Sequence, residues 1–204
     1  MDADWGKLEN LEITGGYYYG IMLFTRWDWG EEDRTGVSHI TISNCKVHDT
    51  GRDCIKITPN CDYVTIENCE IYNSGARYSE NAEGIDNVNG DNMHVVDCHI
   101  HNIGSTGVYA KGGATDCVIE RNIIEHCGEM GVGIGFDTSP EYFDLTVNPH
   151  RYENIRGVVK NCLIVDTQNE GIGFYASLNC SAYNNTLINT AQTNHSAIYF
   201  GVSL

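Results

Sequence analysis

The sequence predicts an all-β chain wound as a solenoid, and three observations predict it. Segments about 24 residues apart repeat one another, each repeat holds short stretches of alternating apolar and polar residues, and Gly and Asn punctuate them. The best-matched segments are ITISNCKVHDTG (40–51), VTIENCEIYNSG (64–75), HVVDCHIHNIG (94–104), VIERNIIEHCG (118–128), VVKNCLIVDTQ (158–168) and AYNNTLINTA (182–191). The polar residue before the first turn recurs as Asn44, Asn68, Asp97, Arg121, Asn161 and Asn185, in steps of 24, 29, 24, 40 and 24. A base period with two insertions is the mark of stacked structural repeats.

Each unit supplies its elements in a fixed order. Two short strands flank the Asn position. A Gly or Ala then leads into a third strand: CIKI (54–57), GIDNV (84–88), GVYAK (107–111), GVGIG (131–135), GIGFY (171–175) and AIYF (197–200). A weaker unit, LENLEITGGYYYGIML (8–23), opens the series and brings the total to about seven coils. No segment carries the i, i+3, i+4, i+7 spacing of a helix. Strands that pair with their equivalents one period away make a right-handed parallel β-helix, three short strands per coil. At about 4.8 Å per coil the rod is roughly 30 Å long.

Inward positions are expected to stack as two ladders, Ile42–Ile66–Val95–Ile119–Val159 and Ile55–Ile85–Val108–Val132–Ile172–Ile198. The Asn column fits an asparagine ladder of side-chain amides, interrupted by Arg121. Cys45, Cys69, Cys98 and Cys162 share a column completed by Asn122 and Thr186, and stacked thiols are expected there rather than disulfides. Cys61, Cys117 and Cys180 are expected in a shorter stack. The whole chain, 1–204, reads as one domain, and patterned sequence at both ends predicts a piece of something longer. Neither AIYFGVSL at the end nor the first residues supply a polar cap, so missing flanking coils or an end-to-end oligomer are expected to cover the strand edges.

Composition narrows the function. A net charge of −16, from 28 acidic and 12 basic residues, argues against a nucleic-acid partner. The same charge suits calcium, a hard cation that prefers carboxylate oxygens, or simply keeps the chain in solution. No apolar run reaches membrane-spanning length, and MDADWGKLENLEITGG lacks the basic start and apolar core of a signal peptide.

The candidate chemistry lies on the outer face of the third strands. Strand alternation turns Tyr109 and Lys111 outward, with Lys56, Asp86, Gly133, Gly173 and Tyr199 in the Tyr109 column and Thr58, Val88, Gly135 and Tyr175 in the Lys111 column. Lys111 therefore has Asp86 diagonally on one side and bare glycine backbone on the other, a floor on which a ligand can lie. Three longer segments, TRWDWGEEDRTG (25–36), ARYSENA (76–82) and DTSPEYFDLTVNPHRYE (137–153), are expected to wall this face. A lysine base beside a carboxylate suits β-elimination from an acidic sugar, in which the proton α to a uronate carboxylate is removed. The expected roles are Lys111 and Tyr109 in catalysis, Lys56, Tyr175, Gly133, Gly135 and Arg121 in substrate binding, and Asp86 with Glu83 or Asp137 holding Ca2+. The plainer reading of any one of them is a cross-strand charge pair, and Lys56 with Asp86 is the foremost case.

On the second strands, His48, Tyr72, His101 and Glu125 fall in one column beside His99. His99 and His101 point the same way, a pair suited to a transition metal, though solvated histidines are the commoner meaning. WDWGEED (27–33) and NPHRY (148–152) are loop features of low specificity.

The I-x-x-N-C-x-I repeat and the run EGIDNVNG…GVYAKGGATDCVIERN…GVGIGFD resemble the parallel β-helix repeat superfamily of carbohydrate-active proteins, over nearly the whole chain. The resemblance implies an extracellular protein acting on polysaccharide. Some lyases of that superfamily hold calcium with aspartates on one coil and use a lysine base on the next, and Asp86 and Lys111 match that outline. The sequence presents no cluster of three or four aspartates. The expected function is thus a polysaccharide lyase on a uronate polymer. The alternatives are a non-catalytic carbohydrate-binding or structural β-helix, and a glycoside hydrolase using carboxylates such as Asp86 and Asp137.

Overall fold

The structure, a computed structural model, describes residues 3–26 and 33–202. Its strands form three sheets of seven parallel strands each, and a short three-stranded sheet joins Ala114–Thr115, Asn154–Ile155 and Ser177–Leu178. Every strand pairs with its equivalent in the next coil, so the chain is a right-handed parallel β-helix of seven coils. Both expected ladders form: Ile42, Ile66, Val95, Ile119 and Val159 are in register, as are Ile55, Ile85, Val108, Val132 and Ile172. All ten are 0% exposed. Burying each such side chain contributes about 1.5–3 kcal/mol, so the core ladders dominate the stability. In the last coil Ile198 and Phe200 are exposed, because no strand lies beyond them among the described residues.

The turns explain the asparagines. Asn44, Asn68, Asp97, Arg121, Asn161 and Asn184 all have left-handed backbones, with φ between 52° and 57°. A second turn column, Asp49, Asn73, Asn102, His126, Asp166 and Asn189, has φ between 50° and 55°. Asn and Asp tolerate this region better than other residues with a Cβ. The first column is exposed, and what it shares is this backbone conformation rather than a ladder of bonded amides.

Its last member is Asn184, not Asn185, because Val158 pairs with Ser181. Asn185 instead completes the cysteine column. Its amide oxygen accepts from the Cys162 N–H (2.9 Å) and its amide donates to the Val159 carbonyl (2.9 Å). Asn122 does the same for Cys98 N–H (2.8 Å) and the Val95 carbonyl (3.0 Å). The adjacent pair Asn184-Asn185 satisfies either register by composition, and only strand pairing decides between them. All nine cysteines are free, and eight of them are buried. Cys117 and Cys180 each immediately precede a strand, whereas Cys61 lies further ahead of its own, so Cys61 does not share their column.

Candidate functional site

The outer face of the third sheet carries one cross-coil row, Lys56↔Asp86↔Tyr109↔Gly133↔Gly173↔Tyr199. Asp53 and Glu83 occupy equivalent places two residues ahead of the strands Ile55–Ile57 and Ile85–Val88. Asp53, Glu83 and Asp86 thereby converge, each offering a carboxylate oxygen within 4.8 Å of the others. All three are buried, at 1%, 5% and 3% exposure. Sequence reading found Glu83 and Asp86 but missed Asp53. The signal for Asp53 is the position two residues ahead of the third strand, which it shares with Glu83 one coil later.

Burying three carboxylates is costly unless charge is compensated. Two lysines compensate it. Lys56 Nζ is hydrogen-bonded to Asp86 Oδ2 and lies 3.8 Å from Asp53 Oδ2. Lys111 Nζ lies 3.8 Å from Asp86 Oδ1, an ion-pair distance but too long for a hydrogen bond. Burial acts to raise the Asp86 pKa, but Lys111 and Lys56 outweigh it, and Asp86 stays below the usual carboxylate range. Burial likewise lowers Lys56, and Asp86 and Asp53 outweigh that in turn, so the ammonium holds its proton more firmly than an ordinary lysine. Glu83 goes the other way. Burial, then the charge on Asp86 and a hydrogen bond to Asp53, push it up to about 10. It is a carboxylic acid at neutral pH.

That proton makes stability depend on pH. Glu83 titrates near 4.5 when unfolded and near 10 when folded. The folded chain therefore binds the extra proton, and this contribution is complete below the lower value and lost as pH climbs to the upper one. Glu83→Gln mimics the protonated acid and does not titrate. In urea unfolding between pH 5 and pH 9 the variant should gain on the parent, by at most about 1.4 kcal/mol per pH unit. A difference that stays constant with pH would show that Glu83 is ionised.

Several expected site residues lie elsewhere. Tyr109 leaves the sheet outward but is 1% exposed, with Lys111 Nζ 4.2 Å above its ring and the Phe136 ring at 5.4 Å. It does not offer a sugar-stacking face. Gly133 is not a bare floor either, because a Cβ there would lie 2.5 Å from two Tyr109 ring carbons. The glycine makes room for the protein's own tyrosine. Gly135 has φ +83°, and a Cβ there would meet the Tyr175 carbonyl oxygen at 2.0 Å. Tyr175 is 2% exposed, and its hydroxyl donates to Glu170 Oε1 at 2.5 Å. Arg121 sits in the first turn column, bidentate to Asp97 at 2.9 and 3.0 Å, away from the third-sheet row. Asp137 is exposed and does not join the three clustered carboxylates.

The insertions do flank the face. Glu153, at the end of the 137–153 segment, accepts from the Gly112 N–H at 2.9 Å, directly after Lys111. Beside that junction opens a cleft of about 470 Å³ lined by Asp137, Ser139, Phe143, His150 and Arg151 among others. On the opposite side, the Arg52 guanidinium lies between the Tyr18 and Tyr78 rings, 4.7 and 4.6 Å from their centroids, and ties the 76–82 segment to the first coil. Within 25–36, and in WDWGEED, residues 27–32 lie outside the described residues.

Residues 34–202 match the family described as Right handed beta helix region. No curated protein matches the chain. Among solved structures it is similar to an alginate lyase from Paenibacillus sp. str. FPU-7, at 14% identity and TM-score 0.66, over 98% of this chain and 74% of that one. It is similar to a periplasmic alginate epimerase at 15% identity and TM-score 0.61, over 97% of this chain and 39% of the other. A tailspike protein of E. coli bacteriophage HK620, solved with a pentasaccharide, is similar at 13% identity and TM-score 0.71, over 98% of this chain and 36% of the tailspike. At such identities the likeness is one of fold. The chain spans three-quarters of the lyase but well under half of the epimerase and tailspike.

Proposed function

We propose, from the premise that this chain belongs to the right-handed β-helix family, that it is an extracellular lyase which cleaves a uronate-containing polysaccharide by β-elimination, with Lys111 as the base. One observation carries the reading. Of the two lysines on the buried carboxylates, Lys56 is hydrogen-bonded into the cluster, while Lys111 Nζ has no hydrogen bond among the described residues. Lys56 does the structural neutralisation and leaves Lys111 to turn toward a substrate. The strand that carries Lys111 is joined to the insertion through the Gly112 N–H and Glu153, and Arg151 in the cleft that Glu153 lines is the cation we assign to a uronate carboxylate. In the reaction Lys111 acts in its neutral amine form, having first given up to solvent the ammonium proton with which it faces Asp86, and takes the proton α to that carboxylate. The electron pair forms a carbon–carbon double bond, the glycosidic C–O bond breaks with its electrons on the leaving oxygen, and that oxygen takes a proton from water. Two of the similar structures bear names that concern alginate, a uronate polymer, which supports the substrate class.

Calcium is not part of this reading. Ca2+ takes six to eight oxygen ligands. Three carboxylates meet in the cluster, and Glu83 Oε2 and Asp86 Oδ1 have no hydrogen-bond partner among the described residues. Yet two ammonium groups already face Asp86 and Glu83 holds a proton, so a divalent cation would have to displace three positive charges. The residues fit a lysine counter-ion instead. Excess chelator should leave cleavage within about twofold of the untreated rate, whereas a tenfold loss restored by Ca2+ would reinstate the metal.

The test of function is a panel of uronate polymers read by ultraviolet absorbance of the unsaturated product. Absorbance that grows with time on one polymer supports the lyase. A second reading rests on Glu83, a protonated acid beside the ionised Asp86, the pairing a glycoside hydrolase uses. It would yield reducing ends without absorbance. Neither signal on any polymer leaves a carbohydrate-binding scaffold.

A further inference from the structure

We infer that the outer face of the second sheet holds a transition-metal site built from Glu70, His99 and His101, on a different sheet from the lysine–carboxylate cluster and independent of it. The sheet brings these residues together in a simple way. In the strand His99–Ile103 the alternation puts both imidazoles on one side. Register then sets Glu70 opposite His99 in one neighbouring coil and Glu125 opposite His101 in the other. Glu70, His99 and His101 each present a donor atom within 4.8 Å of the others. His101 Nε2 and Glu70 Oε1 are 3.4 Å apart. Two ligands bonded at about 2.1 Å to a tetrahedral Zn2+ are separated by about 3.4 Å, so this edge is already at the required length.

The surroundings hold the donors in place. His101 is stacked on Tyr72 at 4.9 Å and 3°, and Tyr72 on His48 at 4.5 Å and 5°, which fixes the plane of the His101 ring. Asn102 Nδ2 sits 3.0 Å from His101 Nδ1. A half-turn of that amide exchanges its nitrogen for its oxygen, which then accepts the Nδ1 proton and leaves the Nε2 lone pair facing Glu70 when a metal binds. Lys46 pairs with the other oxygen of Glu70 at 2.7 Å, keeping the carboxylate ionised while Oε1 stays available. Glu125 holds His99 Nε2 at 2.8 Å and is placed either to orient that ring or to enter as a fourth ligand. Two imidazoles and a carboxylate are the donor set of a borderline cation such as Zn2+ and a poor one for Ca2+. All three residues are partly exposed, so an ion has access from solvent.

The experiment is titration of chelator-stripped protein with Zn2+ by calorimetry, and with Co2+ followed by its visible absorption. One Zn2+ per chain is expected, together with the intense Co2+ bands of a low-symmetry four-coordinate site. His101→Ala and His99→Ala should each weaken binding at least tenfold, and His126→Ala, an exposed histidine outside the cluster, should not change it. Glu70→Gln carries the same test should either alanine variant fail to fold. A Lys111→Ala protein should bind Zn2+ normally, which keeps this inference separable from the lyase reading. Absence of binding, equal binding by the His101 and Glu70 variants, or displacement of Zn2+ by comparable Ca2+ would each overturn it.

Discussion

Lys111→Ala is expected to remove cleavage of the uronate substrate, by roughly a hundred- to ten-thousandfold in kcat, while the protein still folds. The fold should survive because Lys111 closes a strand whose inward residues, Val108 and Ala110, are fully buried and unchanged by the substitution. Asp86 keeps its hydrogen bond to Lys56, so no buried carboxylate is left without a cation. What disappears is a primary amine above the Tyr109 ring. Lys111→Arg sharpens the result. Arginine keeps the charge and can still pair with a uronate carboxylate, but its guanidinium does not release a proton in the working range. If Lys111 is the base, the arginine variant should keep KM within a few fold and lose kcat. If Lys111 only binds the carboxylate, the arginine variant should stay active. Wild-type cleavage by the alanine variant would remove Lys111 from the reaction altogether.

How far the sequence reached toward this site depends on which physical constraint each residue answers to. Ladder positions were legible because burial repeats with the coil: an inward Ile at 42 requires an apolar residue at 66, 95, 119 and 159. Asp86 and Lys111 were legible as neighbours for the same reason, since register follows from period. The aromatic residues were not. Alternation fixes the direction in which Tyr109 and Tyr175 leave the backbone, but not where a ring comes to rest. Both fold back over glycine, Tyr109 across Gly133 and Tyr175 against Gly173. The glycines that look like an empty binding floor are the space those rings fill. Asp53 was missed for a related reason. It belongs to a turn rather than a strand, and its proximity to Asp86 emerges only once Glu83 is seen to occupy the same turn one coil later.

Lys56→Met should cost about 3–5 kcal/mol of stability, the largest effect expected from any single side chain on this face. Its partner Asp86 has 4% of its side chain exposed and Lys56 itself 18%, so the substitution leaves an ionised carboxylate in a nearly dry place. Breaking a buried pair from one side carries this penalty because the remaining charge keeps its desolvation and loses its hydrogen-bonded counter-ion, and Lys111, held at 3.8 Å, offsets only part of the loss. The double variant Lys56→Met/Asp86→Leu removes both charges and should recover most of the loss. Unfolding in urea on the four proteins gives the coupling directly, and a value below about 1 kcal/mol would mean the pair behaves as a solvated surface bridge. The same variant probes the division of labour between the lysines. With Lys56 gone, Lys111 becomes the cation nearest Asp86 and is drawn from 3.8 Å into a hydrogen bond with it. Lys56→Met should then lower kcat although Lys56 touches no substrate, and the Asp86→Leu partner, which frees Lys111 again, should restore part of it. A Lys56→Met protein that is destabilised yet fully active would separate the carboxylate cluster from the chemistry and leave it a purely structural device.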